Sequence, residues 1–179
     1  DVFPFEPSQW ADRDRDGWGD NQDPMAKLID DFPDNPTQWR DSDRDGYGDN
    51  QTLGAWQVDN FTNDYTQWTD LDGDGYGDNQ RGFRPDSCLF SPIAQVDEGR
   101  ISMFDRYGCE DSDKDGWSHP DGEWSAHPDG FADAFPDDPS QWHDNDADGF
   151  GDNLDYWDGE KFSPANEGDS CPSTAGTSR

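Results

Sequence analysis

Aliphatic side chains are scarce in this chain of 179 residues. Leucine, isoleucine and valine together number 11, and all hydrophobic residues make up only 28%. There are 3 cysteines, 3 histidines and 12 lysines and arginines. No run of about 20 apolar residues occurs, so we expect no membrane-spanning helix and no direct insertion into a membrane. The shortage of cations also argues against a nucleic-acid partner.

Acidic and aromatic residues take the place of the missing aliphatic ones. The 43 Asp and Glu residues give a formal net charge of −31, and 9 Trp, 11 Phe and 5 Tyr supply most of the apolar surface. Low hydrophobicity with high net charge is typical of disorder. A compact state with this charge repels itself unless cations neutralise it. Composition alone therefore leaves two alternatives, a disordered chain and a fold stabilised by cations.

The order of the residues is periodic and favours the second alternative. An Asp-x-Phe opening recurs at residues 1, 30, 59 and 133, and the first three openings are 29 residues apart. A disordered acidic tract has no reason to keep such a register. We therefore divide the chain into repeat 1 (1–29), repeat 2 (30–58), repeat 3 (59–87), an insertion (88–132) and repeat 4 (133–179), which ends in the start of a further repeat. Each repeat has a Gln-Trp pair, at Gln9-Trp10, Gln38-Trp39, Gln67-Trp68 and Gln141-Trp142.

An acidic loop begins two residues after each of these tryptophans. Loops 1 to 4 begin at residues 12, 41, 70 and 144, and an altered loop begins at residue 111 in the insertion. Calcium takes six to eight oxygen ligands, often from positions 1, 3, 5, 7, 9 and 12 of such a loop. Alternating aspartates point their carboxylates at one centre. These aspartates are Asp12, Asp14 and Asp16; Asp41, Asp43 and Asp45; Asp70, Asp72 and Asp74; Asp111, Asp113 and Asp115; and Asp144, Asp146 and Asp148.

The later loop positions supply further candidate ligands. Position 7 offers its backbone carbonyl and always carries an aromatic ring, in Trp18, Tyr47, Tyr76, Trp117 and Phe150. Position 9, where calcium ligation often runs through water, is Asp20, Asp49, Asp78 and Asp152 in loops 1 to 4.

Position 12 differs between the loops. It is Asp23 in loop 1 and Asp155 in loop 4, but Thr52 and Arg81 in loops 2 and 3. Loops 2 and 3 therefore need an oxygen from elsewhere, for which the candidates are Asp1, Asp30, Asp31, Asp34 and Asp59. The altered loop has His119 at position 9, a poor calcium ligand, for which Asp121 and Glu123 can substitute.

The pattern predicts at least five bound calcium ions. Five copies of the motif, four of them in one frame, are far more specific than a single acidic string. Magnesium is disfavoured because it prefers fewer protein oxygens. Zinc is disfavoured by the few histidines and the absence of paired cysteine spacing.

The expected fold is mostly irregular coil, with little regular helix or strand, in an elongated array. Pro7, Pro36 and Pro139 lie where the incoming helix of an EF-hand would run, and proline breaks helix interiors. Residues 24–29 can form a single helical turn. We expect small aromatic cores in which the opening Phe, the Trp and the position-7 ring of each repeat stack.

Repeat 2 resembles the thrombospondin type-3 repeat. The resemblance rests on Asn35-Pro36-Thr37-Gln38 followed by Asp41-x-Asp43-x-Asp45-Gly46-x-Gly48-Asp49. Cys171-Pro172 is similar to the Cys-Pro pair that opens such repeats. Here two residues separate Gln38 from Asp41, where the family usually has one, and the loops lack the family's regular cysteines. The resemblance implies calcium-filled loops wrapped by irregular backbone in an extracellular structural or adhesive protein. Asp-rich repeat arrays of large microbial surface proteins also look similar.

The cysteines point to an oxidising compartment. Cys88 and Cys109 bracket a segment without a loop, and we predict a disulfide between them because such bridges brace core-poor extracellular chains. Cys171 is then left over, in an Asp-Ser-Cys triplet that repeats the one at Cys88 after 83 residues. We therefore expect an extracellular or cell-surface location. We also expect this chain to be one segment of a longer array, joined head to tail to further repeats or to further copies of itself.

Two sequons, at Asn50 and Asn60, are candidates for glycosylation in a glycosylating host.

An enzyme is not expected, since catalysis needs one site rather than five copies of an acidic loop. The predicted function is a calcium-rigidified stalk, spacer or filament subunit. The alternative is an adhesion module in which Trp10, Trp39, Trp68 and Trp142 form platforms for surface glycans or for a protein. Buried tryptophans would favour the spacer, and a solvent-facing row of them would favour sugar binding.

Overall fold

A computed structural model of the chain describes residues 2–91, 100–157, 162–166 and 168–175. In these ranges there is no helix and there are two short strands, β1 (Asp155–Trp157) and β2 (Phe162–Pro164). The strands are antiparallel, with Asp155 opposite Pro164. The prediction of a mostly irregular chain is confirmed.

The chain forms two compact units. The first comprises residues 1–70 and 77–85, and the second comprises residues 71–76 and 86–179.

A buried glutamine lies at the centre of each regular repeat. In repeat 1, Nε2 of Gln9 donates to the carbonyl of Lys27 at 2.8 Å, and Oε1 accepts the N–H of Asn21 at 2.9 Å. Corresponding bonds recur in the other three repeats. The repeats are therefore organised around a side-chain amide that bonds to backbone groups. The buried glutamines are Gln9, Gln38, Gln67 and Gln141, each no more than 1% exposed.

The residues around each buried glutamine recur because they bond to it, pack against it or hold the turns beside it. In repeat 2, Nδ2 of Asn50 donates to the carbonyl of Thr37 at 2.8 Å, and Oγ1 of Thr37 accepts the N–H of Trp56 at 2.9 Å. Gly48 lies directly against Gln38, and a Cβ added to Gly48 would be 2.1 Å from Oε1 of Gln38. Any side chain there would displace the glutamine, so the eighth loop position requires glycine.

One isolated bridge joins loop 1 to the end of its repeat. Gly19 pairs with Ile29 in parallel orientation. The helical turn expected over residues 24–29 is wrong. The chain instead makes a turn in which the N–H of Ala26 donates to the carbonyl of Asp23 at 2.8 Å. Leu28 then has a φ of 53°, and this backbone geometry brings Ile29 beside the loop.

Aromatic rings stack between consecutive repeats. Trp18 of loop 1 stacks with Trp39 of repeat 2, with centroids 6.1 Å apart and planes at 4°. Tyr47 of loop 2 stacks in the same way with Trp68 of repeat 3, at 5.2 Å and 6°. The expected stacking of position-7 rings on the tryptophan of their own repeat is wrong, because each of these tryptophans lies beside the preceding loop.

Apolar burial is small. Among the described residues, the only fully buried apolar side chains are Cys109 and Ala132, and the largest fully buried side chains are glutamines and aspartates. Phe5, Met25 and Leu53 are more than nine-tenths exposed. The expectation that no aliphatic core forms is met over the part of the chain described here.

The disulfide predicted between Cys88 and Cys109 is present, with Cα atoms 5.0 Å apart. Cys171 is an exposed free cysteine. Nowhere in the described residues does a helix of the length and hydrophobicity needed to cross a bilayer occur.

Candidate metal centres

Each acidic loop gathers its first three aspartates. One carboxylate oxygen from each residue of a triplet lies within 4.8 Å of the other two. Since exposed acidic groups often cluster without holding a metal, the surroundings of each triplet carry the argument. The triplets are Asp12, Asp14 and Asp16; Asp41, Asp43 and Asp45; Asp70, Asp72 and Asp74; Asp111, Asp113 and Asp115; and Asp144, Asp146 and Asp148.

Backbone amides of the loop itself fix the first aspartate. In loop 1, Oδ1 of Asp12 accepts the N–H of Arg15 and Oδ2 accepts the N–H of Gly17. This turn places Arg15 at a φ of 70° and Gly17 at 97°. Because residues with a Cβ rarely adopt a φ near 97°, the backbone at position 6 favours glycine.

The third and fifth positions each bond through one carboxylate oxygen. Oδ1 of Asp14 accepts the N–H of Asp16 at 3.2 Å, and Oδ1 of Asp16 accepts the N–H of Trp18 at 2.7 Å. The other oxygen of both aspartates is buried and has no hydrogen-bond partner. A buried polar atom without a partner is unfavourable and calls for an explanation. The same is true of Oδ2 in Asp43, Asp45, Asp113 and Asp115.

A fourth, buried aspartate lies beside each triplet. In loop 1 this residue is Asp30, the first residue of repeat 2, whose N–H donates to the carbonyl of Gly19 at 3.0 Å. Its Oδ1 accepts the N–H of Phe32 at 2.7 Å, while its Oδ2 is buried without a partner. We call the residues at this place the closing aspartates. They are Asp30, Asp59, Asp86, Asp133 and Asp169, each no more than 1% exposed.

The electrostatics of the first compact unit show which charges the closing aspartates face. Burial, together with the charges of Asp16 and Asp14, raises the pKa of Asp30 to about 7. Burial and the charge of Asp45 likewise raise the pKa of Asp59 to about 6. Each closing aspartate in this unit therefore faces the loop that precedes it.

The second compact unit repeats this relation. Burial and the charge of Asp113 raise the pKa of Asp133 to about 7. The charge of Asp169, after burial and a loop neighbour, contributes to the raised pKa of Asp146.

The third closing aspartate is located by its contact with a glycine. A Cβ added to Gly108 would be 2.1 Å from Oδ1 of Asp86 and 2.7 Å from Oδ2 of Asp74, so these carboxylates are neighbours. Sequence reasoning offered Asp30 and Asp59 only as alternatives for loops 2 and 3, and it missed Asp86, Asp133 and Asp169. The available signal was an aspartate two residues before a Phe or Cys in every opening.

The aspartate at position 9 accepts hydrogen bonds from the second residue of its own loop. Oδ1 of Asp20 accepts the N–H of Arg13 at 3.1 Å, and Asp49 bonds both the N–H and the hydroxyl of Ser42.

The aspartates at position 12 lie outside the triplet groups. Asp23 is exposed, and its carboxylate accepts the N–H of Met25 at 2.9 Å. Asp155 is exposed at the start of β1. The fourth carboxylate beside each triplet is therefore the closing aspartate.

The candidate substitutes in the altered loop have other partners. Asp121 accepts a hydrogen bond from Nη1 of Arg106 at 2.6 Å, and this bond holds the pKa of Asp121 below its ordinary value. Glu123 is exposed, and a ring nitrogen of His119 lies 3.4 Å from the carbonyl of Pro136.

The two sequons have different surroundings. The side-chain nitrogen of Asn50 donates to the carbonyl of Thr37 and thus holds the turn beside a buried glutamine. Asn60 is exposed.

The four tryptophans that follow the buried glutamines also differ in exposure. Trp10 is 61% exposed, whereas Trp39, Trp68 and Trp142 are half-buried.

Comparison with protein-family models, with curated proteins and with solved structures gives no match.

Proposed function

We propose that this chain binds calcium in its five acidic loops and that the ions hold its coil structure together. The observation that carries the proposal is the fourth carboxylate. Asp30 and Asp59 are fully buried, face the triplets of loops 1 and 2, and each keep one oxygen without a hydrogen-bond partner. A carboxylate withdrawn from water needs a compensating charge or donor. A cation among these oxygens supplies that charge.

The ligand chemistry favours calcium over other common ions. All ligand groups at the triplets are carboxylates, and hard divalent cations prefer oxygen. Three triplet oxygens, one oxygen from the closing aspartate and the carbonyl at position 7 approach the six to eight ligands that calcium takes. Asp20 or a water molecule would add another. Magnesium would keep more of its own waters, and zinc would prefer nitrogen or sulfur.

We assign the calcium-loaded chain a structural function as an extracellular spacer, stalk or filament segment. The Cys88–Cys109 disulfide is compatible with an oxidising location. Most hydrogen bonds made by the loops and by the buried glutamines involve backbone groups of the same chain, as expected for a scaffold. The resemblance to thrombospondin type-3 repeats supports this function, and we propose further repeats or further copies of the chain, joined head to tail, as its partners.

The stacked tryptophans support the spacer over a sugar-binding platform. Trp39 and Trp68 each have one face covered by the ring of the preceding loop. Only Trp10 of the four residues in this frame is largely exposed. A single exposed ring is not the continuous aromatic row that glycan adhesion would use.

Calorimetry and native mass spectrometry test the proposal directly. We expect at least five calcium ions per chain, and we expect excess chelator to abolish the near-ultraviolet circular dichroism of the aromatic rings. Asp30→Asn, which keeps the size of the side chain, should weaken binding at one site by at least about tenfold. Asp137→Asn, at an exposed aspartate outside the acidic loops, is the matched control. An aromatic spectrum that is the same with and without calcium would refute the proposal.

A further inference from the structure

The contacts of each loop extend beyond its own repeat. The sequence repeat places Asp30 and Trp39 together with loop 2, since Trp39 precedes Asp41 by two residues. In the structure both residues lie beside loop 1. The N–H of Asp30 donates to the carbonyl of Gly19 in loop 1, and the ring of Trp39 stacks on Trp18.

The next loop has the same relation to the next repeat. The N–H of Asp59 donates to the carbonyl of Gly48 at 3.0 Å, and Trp68 stacks on Tyr47 of loop 2. Two different kinds of contact, a backbone bond at the start of the opening and a ring stack nine residues later, therefore connect each opening to the loop before it.

Other contacts point in the same direction within the second compact unit. Tyr76 of loop 3 stacks with Tyr107, centroids 5.3 Å apart, and Trp117 of the altered loop packs edge-on against His143 at 4.7 Å. Both partners follow the loop in the chain and precede the next loop. The offset thus survives where the partner is a ring other than the tryptophan of the regular frame.

The contacts that run from an opening to its own loop are hydrogen bonds with backbone and amide groups. Oδ2 of Asp31 accepts the N–H of Asp41 at 3.0 Å, Gln38 bonds both the N–H and the carbonyl of Asn50, and the carbonyl of Thr37 accepts from Nδ2 of Asn50. None of these bonds involves a carboxylate of loop 2 or its ring.

We propose that the cooperative unit of this protein is offset from its sequence repeat, so that each ion orders its own loop together with the opening of the following repeat. For loop 1 this unit includes Asp30 and Trp39, and for loop 2 it includes Asp59 and Trp68. The inference rests on the proposed calcium function and adds the boundaries within which one ion acts.

The position-7 residue transmits the effect of the ion. Its N–H bonds to the fifth-position aspartate, as Trp18 does to Asp16 at 2.7 Å, and its ring carries the stack. When the ion leaves, the carboxylates around it, including Asp30, repel one another. The loop then opens, Trp18 moves, and Asp30 and Trp39 of repeat 2 lose their contacts with loop 1.

Nuclear magnetic resonance of the tryptophan indole N–H groups in the full calcium-loaded chain tests this offset. Trp39→Phe and Trp68→Phe variants assign the two signals. Asp16→Asn, which empties loop 1, should move the Trp39 signal to its position in excess chelator and leave Trp68 within its line width. Asp45→Asn, which empties loop 2, should move Trp68 and leave Trp39 in place. Displacement of Trp39 by Asp45→Asn would overturn the inference, because Trp39 would then follow its own repeat.

A second variant separates the offset from the binding of calcium. Trp18→Ala removes the stacking ring without touching a carboxylate, so we expect the same number of bound ions and a displaced Trp39 signal. An unmoved Trp39 signal would refute the offset while leaving the calcium proposal intact. A chain that binds no calcium would refute the proposed function, and the Trp18→Ala spectrum would still report whether the stack exists.

Discussion

Loops 1 and 2 of the first compact unit and the altered loop of the second hold the same triplet in different surroundings. A Cβ added at Gly17 or Gly46 would meet nothing within 4 Å, whereas one at Gly116 would lie 2.4 Å from the ring of Phe104. The N–H groups of Met103 and Phe104 also donate to the carbonyl of Gly116, at 2.9 and 3.0 Å. The triplet is therefore a product of local loop geometry, and the rest of the chain decides how far it is covered.

The two kinds of loop are also supported differently. The regular loops rest on a buried glutamine. In the altered loop a carboxylate takes this place, since Oδ1 of Asp105 accepts the N–H of Ser118 at 2.9 Å and Oδ2 accepts the indole N–H of Trp124 at 3.1 Å. The carboxylates of the altered loop therefore lie in a more covered place. Burial raises the pKa of Asp115 to about 8, and it raises that of Asp45 less.

We expect the largest effect of the difference between these loops to be a pH dependence of the stability of the calcium-free chain. Burial raises the pKa values of Asp30, Asp133 and Asp115 to about 7, 7 and 8, above the ordinary value of 3.8. At pH values between the ordinary and the raised pKa, the folded chain keeps protons on these carboxyl groups that the unfolded chain has released. This stabilisation is complete below about pH 4 and is lost as the pH rises through 7 to 8.

Circular dichroism in excess chelator measures this dependence. We expect the near-ultraviolet aromatic signal to fall as the pH rises from about 6 to about 8, and calcium to remove the fall. Asp115→Asn should abolish the part of the transition near pH 8, whereas Asp45→Asn should leave that part unchanged. A calcium-free chain that gains structure over this range would contradict the electrostatic difference between the loops.

The second effect concerns the buried glutamine, which the altered loop lacks. Gln38→Leu leaves the N–H and the carbonyl of Asn50 without their partner, while the carbonyl of Trp56 keeps the bond from Nδ2 of Asn35. Buried groups cost about 1–3 kcal/mol each when left unpaired, so we expect a loss of about 2 kcal/mol or more. Urea unfolding in saturating calcium measures it.

Exposed Gln80 provides the control for this substitution. Gln80→Leu should change the free energy of unfolding by less than about 0.5 kcal/mol. The damage from Gln38→Leu should also spare the indole signal of Trp117 in the altered loop. Equal losses from the two variants would show that burial of the amide is not what stabilises the repeat.

The smallest expected effect concerns the ring of Phe104, which covers the altered loop. Phe104→Ala removes ring contacts that we put at about 1 kcal/mol, given that this side chain is partly exposed. Calcium should then leave the altered loop about fivefold faster. Stopped-flow mixing with a chelator measures the release, and Phe5→Ala, at a ring that is 98% exposed, should leave every phase unchanged. If release from the altered loop stays as slow in Phe104→Ala, the ring does not retain the ion.

The sequence predicts the parts of this structure that are local in the chain. Alternating aspartates around a glycine define a loop whose amides reach their own side chains, so the triplets follow from spacing alone. Cys88 and Cys109 could be paired because they bracket a segment without a loop. The absence of helix from the described residues followed from the prolines in the openings of repeats 1, 2 and 4.

The contacts that span about twenty residues could not be predicted in this way. Gln38, Gly48 and Asn50 recur at the same positions in the sequence repeats. Their residue types do not show that the glutamine is buried or that it bonds to other segments of its repeat. The stack of Trp18 on Trp39 was assigned to the wrong pair, because sequence proximity places Trp39 with the loop that follows it. A residue at positive φ precedes each return of the chain to its loop, Leu28 in repeat 1 and Gln57 in repeat 2.

The polar interior has a consequence for the heat capacity of this protein. Exposure of apolar surface on unfolding raises the heat capacity, and exposure of polar surface lowers it. Since the largest fully buried side chains here are glutamines and aspartates, the two contributions should nearly cancel. The stability curve should then have little curvature with temperature, without the marked loss of stability on cooling that a hydrophobic core brings. A protein built in this way would keep its shape across a wide span of temperatures as long as its surroundings supply the ion.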